Sequence, residues 1–273
     1  MRRLGSTSLA FPDFRGATRR LILWNLGAYF ALAVGGLLAA GPTARVASWL
    51  VFWPQAFLHG ALWQPLTYSF IHPTGAILGT ALELLSLWFL AGFLEGMRGD
   101  GWVMGLYSVS VIGTALTAVA VYFIGAGLHL EPGTTVLTGC FGGIFGLLVA
   151  IGVLYGEMEF MMFPLPIGIK AKYLAIIYGL VSIAMLFTSQ RMYAFAELGG
   201  ALAGWIYIRR APRRGFAFAM SESLYGVRNR YYRWKRRRAA RKFEVYMKKQ
   251  GRTVRFDGQG NLIDEDEDKK RWN

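Results

Sequence analysis

The sequence predicts an all-α membrane protein: six transmembrane helices followed by a cytoplasmic C-terminal tail. Two observations carry this expectation. The 273 residues are 54% hydrophobic and 15% aromatic, yet their formal net charge is +14. One soluble core needs no such combination, so apolar and charged residues must occupy different segments. Of the 30 Lys and Arg, 20 lie from Arg209 onward against eight Asp and Glu, so the tail alone carries +12.

Residues 1–20 are polar and hold five arginines, which marks a cytoplasmic leader. The first apolar run, about 21–40, is long enough to cross a bilayer and longer than a signal-peptide core, so it reads as a retained span. Residues 41–74 contain Trp49, Trp53, Pro54 and Trp63 within an interrupted amphipathic stretch, which suits a loop lying at the membrane interface. Further spans are expected at about 75–94, 102–124, 136–155, 171–188 and 193–208. An even number of spans puts both termini on one side. Only Arg45 and Arg191 fall in loops that this topology places outside, and the other 28 basic residues fall inside, so the termini are expected in the cytoplasm. In a bacterial cell this would be the plasma or inner membrane.

Gly142 with Gly146 and Gly200 with Gly204 bring small residues at four-residue spacing to the fourth and sixth spans, and these two helices are expected to pack closely. Residues 211–273 contain no spanning run. They divide into a basic stretch, Arg228 to Lys249, and an acidic run, Asp264 to Asp268. Tyr225, Tyr231, Tyr232 and Trp234 interleave with the basic residues, a pattern for anionic lipid headgroups rather than nucleic acid. The single cysteine, Cys140, excludes an intrachain disulfide and has no evident partner for a metal site. No cofactor or metal is expected.

Several segments, in order along residues 20–210, resemble the rhomboid family of intramembrane serine proteases. WQPLTYSFIH (Trp63 to His72) and LWFLAGFLEG (Leu87 to Gly96) resemble its first loop and the end of its second span. GCFGGIFGLL from Gly139 resembles its nucleophile helix, FPLPIGIKAKYL from Phe163 the loop before the fifth span, and ELGGALAG from Glu197 its sixth-span motif. The resemblance implies a six-helix rhomboid-like bundle. It also implies that the nucleophile position is Phe141, the base position Glu197, and the two oxyanion positions Gly79 and Glu83. All four differ from an active member, so no residue is expected to be catalytic.

Phe has no lone pair or proton to offer an acyl carbon. Cys140 would lie about 100° around a helix from Phe141, and Thr138 about one turn before it without a base. His59, His72 and His129 are all expected in loops, and His72 is expected to hold its loop through a hydrogen bond. Glu83 and Glu197 are intramembrane acids and therefore candidate functional groups. Three functions remain open. The first is a pseudoprotease that binds transmembrane client proteins without cutting them. The second is a serine-type endopeptidase with a non-standard site at Thr138 or Cys140. The third is a proton or cation site at Glu83 and Glu197.

Overall fold

The computed structural model describes residues 12–127, 136–162, 167–188, 191–210, 216–251 and 256. The chain divides into two units, Met1–Phe216 and Ala217–Asn273. The first unit opens with α1 (Gly16–Leu38), whose N-terminal turn is tied down at once: the Thr18 N–H and hydroxyl both donate to Glu95 Oε2, at 2.8 and 2.7 Å. The stretch after α1 then folds as α2 (Ala40–Leu50), α3 (Pro54–Leu58), α4 (Gln64–Thr67) and a 3-10 turn (Tyr68–Phe70). Pro54 and Pro65 sit in the first turns of α3 and α4, where a missing N–H costs nothing. These pieces are stitched together by side chains: Trp63 Nε1 donates to the Trp49 carbonyl at 2.9 Å, and Thr67 Oγ1 to the Leu50 carbonyl at 2.7 Å.

Two long helices follow, α5 (Ile77–Arg98) and α6 (Asp100–Gly127). The chain reverses between them at Gly99, whose φ of +84° is strained for any residue with a Cβ. Then come α7 (Phe141–Leu154), a β-hairpin of β1 (Glu159–Met162) with β2 (Ile167–Lys170), α8 (Ala171–Met185) and α9 (Arg191–Arg210). The hairpin is antiparallel, with Glu159 opposite Lys170 and Met162 opposite Ile167. Of the segment beginning FPLP, residues 163–166 lie outside the described residues, as do His129 and the acidic run Asp264 to Asp268.

By length and composition α1, α5 and α6 can each cross a membrane, and α7 and α8 are shorter apolar helices. The chain is an all-α membrane protein apart from the small hairpin. At about 1.5 Å per residue, the 14 residues of α7 cover about 21 Å, less than a hydrocarbon core of about 30 Å. Its start differs from the expected span 136–155 for a local reason. Leu137 exchanges backbone hydrogen bonds with Phe52 at 3.0 and 3.1 Å, and Gly139 adopts φ +83°, so the chain enters α7 from an extended approach and a left-handed turn. Thr138 and Cys140 therefore precede the helix. The helical-wheel placement of those two residues relative to Phe141 does not hold.

The centre of the first unit is α7, buried from Gly142 through Leu148 and enclosed by α5, α6, α8 and α9. The most extensive pairing is α6 with α9, followed by α7 with α9. Glycine makes these approaches possible. A Cβ on Gly200 would stand 2.9 Å from the Gly142 carbonyl oxygen, and one on Gly204 would stand 2.8 Å from the Gly146 Cα. Ser110 and Thr114 of α6 fill the same junction: side chains at Gly146 and Gly142 would collide with them. Three helices thus meet where the glycine spacing alone pointed to two.

The second unit is dominated by α10 (Phe216–Lys249). From residue 229 onward its described side chains are exposed almost throughout, and they include Tyr231, Tyr232, Trp234, Phe243 and Tyr246. Arg238 stacks over Trp234 at 5.5 Å, so aromatic and cationic groups share one stretch of surface.

Candidate functional site

A chain of buried polar groups runs from α1 to the start of α7. Asn25 Nδ2 donates to the Leu21 carbonyl at 2.8 Å, within α1. Asn25 Oδ1 lies 2.8 Å from His72 Nε2, and His72 Nδ1 lies 3.2 Å from Glu83 Oε2. Glu83 Oε1 accepts the backbone N–H of Cys140. Asn25 and Cys140 are fully buried, the His72 side chain is 0% exposed and that of Glu83 is 6% exposed.

The direction of these bonds follows from what each group can do. A backbone carbonyl only accepts, so the Asn25 amide must turn its nitrogen to Leu21 and its oxygen to His72. Nε2 of His72 therefore carries a hydrogen. Nδ1 then faces the Glu83 oxygen across 3.2 Å, and one proton must lie on that edge, since otherwise two lone pairs would oppose each other. Whichever atom holds the proton, the pair carries no net charge. Neutrality is what a site closed off from water favours.

Glu83 also completes α7. The first N–H groups of a helix have no partner inside it, and the Cys140 side chain makes no capping bond. The Glu83 carboxylate caps the end from another helix, on the side where the helix dipole favours an anion. Gly139 is required here: its positive φ suits glycine, and a Cβ would stand 2.8 Å from Glu83 Oε1.

Beside this chain a narrow cleft is lined by Tyr68, Thr138, Phe141, Tyr193 and Glu197 among others. Phe141 begins α7 and is 41% exposed, so its ring lies at the cleft rather than in the core. Thr138 Oγ1 is 3.3 Å from the Tyr193 hydroxyl, which also donates to the Val136 carbonyl at 2.6 Å. Glu197 is buried and accepts a hydrogen bond from the Ser182 hydroxyl of α8 at 2.8 Å. The two acids of the sequence analysis thus have separate partners: His72 and Cys140 for Glu83, Ser182 for Glu197. Gly79 is exposed in the first turn of α5, with open space around it apart from Ala76.

The sequence reading gives no role to Asn25 or Ser182, and for His72 it expects a hydrogen bond that holds its loop without naming the partners. Asn25 lies in α1 and Ser182 in α8, and His72 is expected in a loop out of reach of the helix that holds Phe141. His72 does lie in a loop, just after the 3-10 turn, but that loop is drawn against the start of α7, since the Gly139 N–H donates to the Ile71 carbonyl at 2.8 Å. The signal was present: an amide within a span must find a partner, because lipid offers none.

On the α7–β1 turn, the exposed Glu157 is clasped by Lys172 and by Lys170, the latter at 2.9 Å. Lys172 first, and then Lys170, hold its carboxyl down at about 2. Glu157 in turn holds the Lys170 ammonium above its ordinary value.

No curated protein matches the chain. The family model described as Eukaryotic integral membrane protein (DUF1751) matches residues 26–213, from the middle of α1 to just beyond α9. That interval takes in every helix described in the first unit except the opening turns of α1. Of the polar chain, His72, Glu83 and Cys140 lie inside it, and Asn25 stands one residue before it. The chain belongs to this family of integral membrane proteins.

Proposed function

We propose that the chain is a rhomboid-fold membrane protein without a serine–histidine dyad, and that it binds the transmembrane helices of client proteins without cleaving them. The observation that carries this reading is the occupied amide at the start of α7. Acyl transfer there needs a nucleophile and free N–H donors for the developing oxyanion. The nucleophile position is Phe141, and the Cys140 N–H is already taken by the Glu83 carboxylate. An acceptor already holding that N–H leaves none for an incoming oxyanion. At the base position, Glu197 accepts a hydrogen bond from the Ser182 hydroxyl.

Client binding is supported by α8. It buries only Ala171 and Ser182, while Ile176, Ile177, Leu180 and Val181 are exposed, an apolar flank suited to lipid or to another transmembrane helix. In this reading the six spans run as the hydropathy pattern sets them, both termini are cytoplasmic, and the basic stretch of the tail rests on anionic headgroups. A non-standard protease is disfavoured because the Cys140 thiol is fully buried and Thr138 is paired with a tyrosine hydroxyl rather than a base.

The test is reconstitution in proteoliposomes with a transmembrane substrate and a serine-hydrolase probe, beside a variant carrying Phe141→Ser, Glu197→His, Gly79→His and Glu83→Asn. The native protein is expected neither to cut nor to label. A photo-crosslinker at Ile176 is expected to capture transmembrane segments. Cleavage by the native protein, or crosslinks to lipid alone, would overturn the reading.

A further inference from the structure

We propose that His72, Glu83 and Cys140 form a binding site for a divalent transition-metal ion, with zinc the best match to the donor set. Their ligand atoms, an imidazole nitrogen, a carboxylate oxygen and a thiol sulfur, all lie within 4.8 Å of one another and all three residues are buried. Nitrogen, oxygen and sulfur donors together suit a borderline-soft ion such as zinc rather than magnesium or calcium.

The second observation is the orientation of His72. A metal-bound histidine commonly donates its other ring N–H to a neighbouring oxygen, which fixes the tautomer and aims the free nitrogen. Asn25 accepts that N–H: held by the Leu21 carbonyl, it can only accept from Nε2, so Nδ1 is the nitrogen turned toward Glu83. Nδ1 and Oε2 are 3.2 Å apart. Two ligands on one tetrahedral zinc ion, with bonds of about 2.0 Å, stand about 3.3 Å apart. The edge that must otherwise hold a proton is therefore already spaced for an ion.

Charge is the third observation. One thiolate and one carboxylate neutralise a dication, so the filled site carries no net charge in surroundings that exclude water. Filling it releases the thiol proton and the proton of the Nδ1–Oε2 edge. Glu83 Oε1 keeps its bond to the Cys140 N–H, so the cap on α7 survives. The ion would join the interfacial loop, α5 and the approach to α7, and this role does not depend on client binding.

The test uses the full chain in detergent, stripped with a chelator and then given cobalt or zinc alone. One equivalent of cobalt per chain is expected, with thiolate-to-metal charge-transfer absorption, and zinc is expected to displace it and raise the melting temperature. Cys140→Ser, close to the native residue in size, is expected to lose the charge-transfer band while eluting as the native protein does. Asn25→Leu is expected to weaken zinc binding by about 10- to 100-fold. Failure to retain cobalt, cobalt bound without a thiolate band, or equal affinity in Cys140→Ser would overturn the proposal.

Discussion

Gly204 of α9 meets Gly146 of α7 backbone to backbone: a Cβ on Gly204 would stand 2.8 Å from the Gly146 Cα and 3.3 Å from its carbonyl oxygen. Ser110 of α6 closes the third side at 2.9 Å from the same point. No side chain that could swing aside relieves the contact with Gly146. Gly204→Leu is therefore expected to lower stability by about 1–3 kcal/mol or to separate the helices. Gly179→Ala, in open space on α8, is expected to be neutral or stabilising by up to about 1 kcal/mol. Thermal unfolding of the two variants in one detergent checks the contrast.

Glu83 offers a prediction that separates hydrogen bonding from charge. Glu83→Gln keeps an oxygen for the Cys140 N–H and turns an amide N–H toward His72 Nδ1, so both partners stay satisfied and the cost should be within about 1 kcal/mol. Glu83→Leu strands both partners in a buried site, at about 1–3 kcal/mol each. Equal melting temperatures for the two variants would contradict the hydrogen-bond chain.

Ser182 and Glu197 form a pair across α8 and α9. Ser182→Ala removes the only hydrogen bond described for the buried Glu197 carboxyl and is expected to cost about 1–3 kcal/mol. Adding Glu197→Leu to Ser182→Ala should recover part of that loss, because no unpaired polar group then remains. A double-mutant cycle measured by unfolding gives the coupling.

The clasp at Glu157 has a defined pH signature. Lys172 and Lys170 depress its carboxyl from the ordinary 4.5 to about 2. A depressed carboxylate contributes above its unfolded-state value and loses that contribution as the pH falls through its folded value. The hairpin contacts are thus expected to be complete above about 4.5 and to fade between there and about 2. The Glu157 carboxyl carbon shift, followed by NMR, should titrate near 2 in the native chain and near the ordinary value in Lys172→Ala/Lys170→Ala.

Much of the fold was legible because α1, α5 and α6 are long apolar runs, and length plus hydropathy are direct functions of sequence. The start of α7 was not. Residues 136–140 continue the apolar run into the helix with no charge or proline, and the bridge between Leu137 and Phe52 and the turn at Gly139 set the boundary. The glycine pairs on α7 and α9 stood out by spacing, whereas nothing in the sequence tied Ser110 and Thr114, equally four apart, to the same junction. At the candidate site the resemblance singled out Phe141 and Glu197, and both line the cleft beside the buried polar chain. The partners of Glu83 were not legible, because Asn25, His72 and Cys140 are brought to it only by tertiary packing.

The chain from Asn25 to Cys140 also bears on how the protein is made. Asn25 enters the membrane with the first helix, and Cys140 follows more than a hundred residues later in synthesis. Until α7 arrives, the Glu83 carboxylate lacks the amide it caps, and lipid offers no donor in its place. A truncated or stalled chain would leave the Glu83 acid without the amide it caps, a ready mark of incompleteness for the machinery that removes unassembled membrane proteins.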